Sequence, residues 1–299
     1  MTDLNPQGKQ MAGESTVRTL AAQASAIWPQ ERPLIERYAL PAAPRILDAG
    51  CGTGEAAARL AELFPRSPVL GVDIVASSLE FARARYANLA PRLSFEHRSV
   101  FGLELPGQCF DLTVCRHVLQ SIPFPERVIG ELVRVTRPGG YLHLIAEDYG
   151  MIHFEKTETD PQAFWNVVAD SFGATTKTDL HIGRHVFGML EKLSLEDIKV
   201  DYIVVDTLRV PRATLAAIFE SWRDGYADPI GEMTPVSRES ALSYFNQMIA
   251  QLRDPSRYAV WLVPVVSARV PARASAQSGT GDPHDRPLHE IGRRDYVEF

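Results

Sequence analysis

The densest run of chemistry-bearing residues is Ile46-Leu47-Asp48-Ala49-Gly50-Cys51-Gly52-Thr53-Gly54. An apolar run enters it and a helical pattern leaves it near Glu55, so the glycines occupy a strand-to-helix turn. Glycine at alternate positions removes the side chains that keep a ligand away from the backbone. The helix that follows offers unpaired N–H groups in its first turn. Such a turn suits a nucleotide-like ligand, and a merely tight connection uses the same residues. Asp73 ends a second apolar run, Val69-Leu70-Gly71-Val72-Asp73. A carboxylate there can accept hydrogen bonds from both hydroxyls of a ribose. In an open α/β sheet, ligands bind outside the carboxyl ends of the strands. His117, Glu147, Asp148, Tyr149 and His153 lie at or just past such ends and are the candidates for substrate contact. His117 is the first choice for a proton acceptor, because imidazole titrates near working pH. A ring that only packs on a bound ligand would satisfy the same position. Glu147 is the second catalytic candidate, and Glu147 and Asp148 either bind a cationic substrate or order the site.

The glycine spacing separates two classes of ligand. A dinucleotide fold shows G-x-G-x-x-G, with the third glycine where helix packs on strand. Here the pattern is Gly50-x-Gly52-x-Gly54 behind an acid, Asp48, which disfavours an NAD(P)-dependent oxidoreductase. It resembles the first motif of the class I S-adenosylmethionine-dependent methyltransferases, acidic-x-glycine-x-glycine-x-glycine. The resemblance extends over residues 45–147 and is weaker near Tyr258. It implies a mostly parallel, doubly wound, seven-stranded Rossmann-like sheet. It also implies S-adenosylmethionine as cofactor and a small-molecule acceptor, methylated by in-line displacement at the sulfonium methyl. Asp48, Gly50, Gly52 and Gly54 would form the cofactor turn, Asp73 would hold the ribose, and Ile74 would pack on the adenine. The third motif departs from the family. Where an acid often bonds the adenine amino group, this chain has His97-Arg98-Ser99-Val100, which leaves Ser99 and Val100 to serve by hydroxyl or backbone. Phe110-Asp111-Leu112-Thr113-Val114-Cys115-Arg116-His117-Val118-Leu119 is similar to the fourth motif. That places Arg116 near the methionine part of the cofactor and His117 at the mouth of the site. Arg137-Pro138-Gly139-Gly140 resembles the family's turn into its fifth strand. The runner-up function is a module of this family that binds the cofactor without transferring methyl groups.

The elements that must position these residues alternate. Short apolar runs at 45–49, 69–73, 93–97, 110–115 and 141–147 are separated by amphipathic helical stretches, which argues for a parallel sheet with helices on both faces. Ser77 and Glu80 have the spacing of a capping box. Pro125 suits a first helical turn, and Pro138, Gly139 and Gly140 should end that helix. Residues 1–40 are expected to form an N-terminal helical cap, broken at Pro29 and Pro33. The enzyme domain should run over 41–269, with helical insertions at about 150–180 and 207–255 acting as lids. Within it, helix 182–193 and strands 198–205 and 258–267 complete the pattern. Pro264 inside the last strand would remove a ladder donor, so that strand should be bulged or short. Residues 270–299 are polar and expected to be flexible.

Composition limits the partners. With 31 Lys and Arg against 37 Asp and Glu, the net charge is −6, and no basic field advertises nucleic acid. No apolar run approaches the ~20 residues of a membrane span, and the polar first eleven residues lack a signal-peptide layout. Cys51, Cys109 and Cys115 have no metal spacing and an odd count, which fits reduced thiols in the cytoplasm. The eight histidines are scattered and no metal is expected. His181 and His185, four apart, read as an exposed pair near a helix start. No G-x-S-x-G or P-loop pattern occurs.

Overall fold

A computed structural model describes residues 4–6 and 14–272. The expected flexible tail lies, from residue 273 on, outside the described residues, as do His284 and His289. Helix α1 (Glu14–Glu36) leads into β1 (Ile46–Ala49), α2 (Glu55–Leu63), β2 (Val69–Asp73), α3 (Ala76–Arg85) and β3 (Leu93–His97). Then come β4 (Phe110–Arg116), α4 (Pro125–Val135), β5 (Thr136–Ile145), β6 (Ile152–Phe154) and α5 (Pro161–Thr176). The chain continues through α6 (Val186–Lys192), β7 (Glu196–Asp206), α7 (Arg212–Met233), α8 (Arg238–Arg253) and β8 (Ala259–Arg269).

Among the described residues the sheet has eight strands in the order β3-β2-β1-β4-β5-β8-β6, with β7 also paired to β8. Strands β1 to β5 pair in parallel and β8 runs antiparallel to its neighbours. The eighth strand beyond the expected seven is the three-residue β6, which shares one edge of β8 with β5. Alternation along the strands sends side chains to two cores. Leu47, Leu142 and Leu144 pack with α4 and α6, while Ile46, Leu112 and Val114 pack with α2, α3 and Ile35 of α1. A third core joins α1, α5, α7, α8 and β8 through Ile27, Trp165, Phe219, Trp222, Phe245 and Trp261. The two helical insertions are thus part of the packed body. No helix of the described residues is long and apolar enough to cross a membrane.

Several local expectations are corrected. Helix α1 runs unbroken through Pro29 and Pro33. Both prolines are exposed and four residues apart, so the carbonyls they leave unpaired face water. Helix α3 starts after Val75 with no side-chain cap. The carboxylate of Asp73 takes the Val75 N–H at 2.9 Å instead, which draws the chain into the helix ahead of Ser77. Pro138 and Gly139 fall within β5, whose pairing with β4 is irregular between Phe110 and Leu112. The helix expected over 182–193 is a single 3-10 turn followed by the short α6. Pro264 neither shortens nor bulges β8, and its pairing with Tyr202 is in register. On its other edge β8 leaves β5 at Val265 and meets β6 only at Trp261, so no strand there lacks the missing donor.

Candidate active site

The glycine turn folds as its composition requires. Gly50 and Gly52 have φ of +74° and +51°, a region that residues with a Cβ seldom adopt. A Cβ on Gly50 would stand 2.3 Å from Val118 Cγ2, and one on Gly52 would stand 2.7 Å from Leu20 Cδ1. Strand β2 holds the turn from the side. The N–H groups of Gly50 and Cys51 donate to the Val72 carbonyl at 2.8 and 2.9 Å, and Gly52 N–H donates to Asp73 Oδ2 at 2.7 Å. Asp73 therefore shapes the turn and lines the cleft beside it. Each of its oxygens keeps a second lone pair for a ligand hydroxyl.

That cleft encloses about 310 Å³, and Gly50, Gly52, Asp73, Ile74, Ser99, Val100, Arg116 and His117 are among the residues that line it. A recess continues from it past Gln23, Asp48, Arg116 and His117. Gly54 is elsewhere: its Cβ position points at Phe95, 2.7 Å away, so this glycine lets α2 pack and does not border the cleft.

Buried charge gathers around the recess. Asp48 is 1% exposed, and burial, opposed by Arg116, pushes its carboxyl up to about 7. Arg116 lies 2.8 Å from Glu31, a fully buried acid on α1. Glu31 also stands 3.2 Å from His143 Nε2, whose Nδ1 is bonded to the Tyr38 hydroxyl at 2.7 Å. Burial would raise the Glu31 carboxyl, but Arg116 and His143 outweigh it and hold it below the usual glutamate range. Among the described residues, Asp48 Oδ2, Arg116 Nη2 and His117 Nε2 are buried without a hydrogen-bond partner. A recess offering one acid and one guanidinium in this state fits the amino and carboxylate ends of an amino acid. The adjoining cleft, with Asp73 and an apolar wall, fits a nucleoside.

His117 follows β4 with φ +55°, a strained conformation for a residue with a side chain. Its Nδ1 is 2.5 Å from Glu147 Oε1, and Trp261 Nε1 donates to Glu147 Oε2 at 3.1 Å. Glu147 thus accepts from both neighbours, which puts the ring proton on Nδ1 and the lone pair on Nε2.

The other substrate candidates separate. Tyr149 lines a second cavity with Gln120, Trp165 and Trp222. Asp148 borders neither cavity: Arg184 grips it with two bonds of 2.6 Å and His181 Nδ1 contacts it at 2.9 Å. Burial works against that carboxylate, but these partners hold it below the usual range. His153 is exposed on β6, outside both cavities. The pair His181 and His185 is not simply exposed, since His185 is tied to Asp179 at 2.6 Å and His181 to Asp148.

Sequence reasoning missed Glu31, Gln120 and Trp261. Glu31 carried a signal, since it lies four residues from both Ile27 and Ile35 on an otherwise apolar helix face. Gln120 and Trp261 carried none, because nothing local distinguishes them from ordinary loop and core residues.

Residues 42–182 match the family model described as a methyltransferase domain. A trans-aconitate 2-methyltransferase of Deinococcus radiodurans is 41% identical over 98 residues, covering 33% of this chain and 36% of that protein. A ubiquinone biosynthesis O-methyltransferase of Chromobacterium violaceum is 30% identical over 118 residues, covering 38% and 49%. The chain spans only a quarter to a half of the length of such curated relatives. Among solved structures, phosphoethanolamine N-methyltransferase 2 of Haemonchus contortus with S-adenosyl-L-methionine shares the fold at TM-score 0.54 and 19% identity, over 82% of this chain and 53% of that one. The [4+2]-cyclase SpnF does so at TM-score 0.51 and 20% identity, over 81% and 80%. Over residues 42–182, just under half of the chain, the protein is thus similar to methyltransferase domains. Helix α1, with Glu31, lies outside that match.

If Asp73 holds the ribose, Asp73→Ala should weaken S-adenosylmethionine binding by about 1.5–3 kcal/mol, the usual contribution of hydrogen bonds to a charged group. Calorimetry checks it, and unchanged affinity in a folded variant would remove Asp73 from the site.

Proposed function

We propose that the protein transfers a methyl group from S-adenosylmethionine to a small organic acceptor in the cytoplasm. The observation that carries this reading is His117, a residue that lines the cofactor cleft, whose Nδ1 stands 2.5 Å from the buried Glu147 and whose Nε2 has no partner among the described residues. A module that only binds the cofactor has no use for an imidazole oriented by a buried carboxylate. The cytoplasmic assignment is supported by three unpaired cysteines, and the acidic net charge of −6 argues against a nucleic-acid acceptor.

When bound, the cofactor supplies a methyl group already activated on a sulfonium. The residues of the chain then have four tasks. Asp73 would hold the ribose, and Asp48 and Arg116 the two ends of the amino acid. The segment around His117 aligns the acceptor, and alignment alone can contribute up to ~7–11 kcal/mol. His117 Nε2 takes the acceptor's proton, worth about 10²–10⁴-fold in rate. Helices α5, α7 and α8 would cover the acceptor and keep water out.

Asp48 makes the cofactor reading testable through pH. Burial keeps its carboxyl protonated up to about 7, whereas pairing with an ammonium requires the anion. Binding should therefore release a proton, and affinity should fall as pH drops below about 7, approaching tenfold per pH unit. Asp48→Asn should bind more weakly and lose that slope. A slope that persists in Asp48→Asn belongs to another group. The activity itself is tested by calorimetry with S-adenosylmethionine followed by a labelled methyl-transfer screen. Absence of cofactor binding would overturn the proposal, and binding without any transfer would favour the non-catalytic module.

A further inference from the structure

The second cavity is walled by α5, α7, α8 and the loops after β4 and β5. Its walls are rings. Tyr149 stacks on Trp165 at 5.4 Å, and Trp222 stands edge-on to both at 5.9 Å. No lining residue carries a charge. The carboxylates nearest in sequence are engaged elsewhere, Glu147 by His117 and Trp261, and Asp148 by Arg184 and His181. One short segment borders both spaces: His117, Val118, Ser121 and Ile122 line the cleft, and Gln120 lines the second cavity.

Among the described residues, two buried polar atoms of residues in that lining have no partner. Trp165 Nε1, in a residue 4% exposed, has no acceptor, and Gln120 Oε1, in a residue 6% exposed, has no donor. A buried polar group left unmet is unfavourable, so a guest that answers both is bound with selectivity. We infer that this cavity takes the body of the acceptor, and that the acceptor is a neutral, largely apolar molecule carrying a hydroxyl group. The hydroxyl oxygen accepts from the indole N–H of Trp165, and its hydrogen is donated to the carboxamide of Gln120. An aromatic box also suits a quaternary ammonium. Such a cation has no lone pair for the Trp165 N–H, and no lining carboxylate neutralises it. The cavity leaves about 40 Å³ open, less than the ~150 Å³ that holds benzene. A ring-sized guest therefore has to part α5 from α7 and α8 as it enters. The word acceptor rests on the methyl-transfer reading, whereas the preference for a hydroxyl rests on the cavity alone.

The test uses equilibrium binding, so it does not depend on turnover. The full chain is titrated calorimetrically with 2-naphthol, naphthalene and phenyltrimethylammonium, with and without S-adenosylhomocysteine. The 2-naphthol is expected to bind at least about tenfold more tightly than either of the others, because a site built to hydrogen-bond a hydroxyl rejects analogues lacking it. Trp165→Phe and Gln120→Leu should each bring 2-naphthol to within about twofold of naphthalene. Naphthalene itself should bind these variants as it binds the wild type. Tightest binding of the ammonium probe, an undiminished naphthol preference in a folded variant of either kind, or no binding of any probe would overturn the inference. Failure of S-adenosylhomocysteine to bind, with the naphthol preference intact, would instead sink the methyl-transfer reading and leave the cavity's preference standing.

Discussion

Replacing His117 with alanine should lower turnover by about 10²–10⁴-fold while leaving cofactor affinity little changed. The expectation follows from the line Trp261–Glu147–His117, in which the carboxylate accepts from both sides and Nε2 of the cleft-lining His117 is left without a partner among the described residues. His117→Gln separates shape from basicity, since glutamine keeps polar bulk but cannot titrate. It should be nearly as slow as alanine. Glu147→Gln should reduce turnover by at least about tenfold, because an amide no longer fixes the ring tautomer. It should act on kcat and leave KM for the acceptor nearly unchanged. Near-wild-type turnover in His117→Gln would return His117 to packing, and alignment alone would then account for transfer.

The second large effect is on stability. Glu31→Ala should destabilise the fold by about 3–5 kcal/mol, because it leaves Arg116 buried beside an apolar gap. Denaturant unfolding of the variant measures it, and a loss below about 1 kcal/mol would show that the pair is not a keystone. The carboxyl of Glu31 is held below its ordinary range by Arg116 and His143. Its contribution is therefore full at neutral pH and disappears only as the solution is acidified below the usual glutamate range. The variant should lose that part of the acid dependence along with the stability.

How far the molecule could be read in advance depended on how local each signal was. The glycine turn, Asp73 and the alternation of β1 to β5 were legible, because close backbone approach and two-sided burial each leave a pattern within ten residues. The placing of Ile74, Ser99, Val100 and Arg116 around one cleft was legible through the family pattern. Asp148 was misjudged because its position after β5 suggested substrate, while the residue that claims it, Arg184, comes thirty-six positions later. His153 was misjudged for a related reason. A short edge strand forms at β6 and leaves His153 exposed, in a stretch expected to be a helical insertion over the site. Pro29 and Pro33 misled in the opposite direction, since a rule about helix interiors weakens on a solvated face.

Strand β8, formed by residues 259–269, is bordered on both edges: by β7 along one, and by β5 and β6 along the other. During synthesis every other strand of the sheet leaves the ribosome before it. Until β8 arrives, the facing edges of β5 and β7 present unpaired backbone groups, and Trp261 is not there to cover Glu147. A nascent or prematurely terminated chain is thus held open at its centre, the condition in which strand edges recruit other chains. Completion of the described sheet and assembly of the buried carboxylate behind His117 then become one event, timed by the emergence of β8.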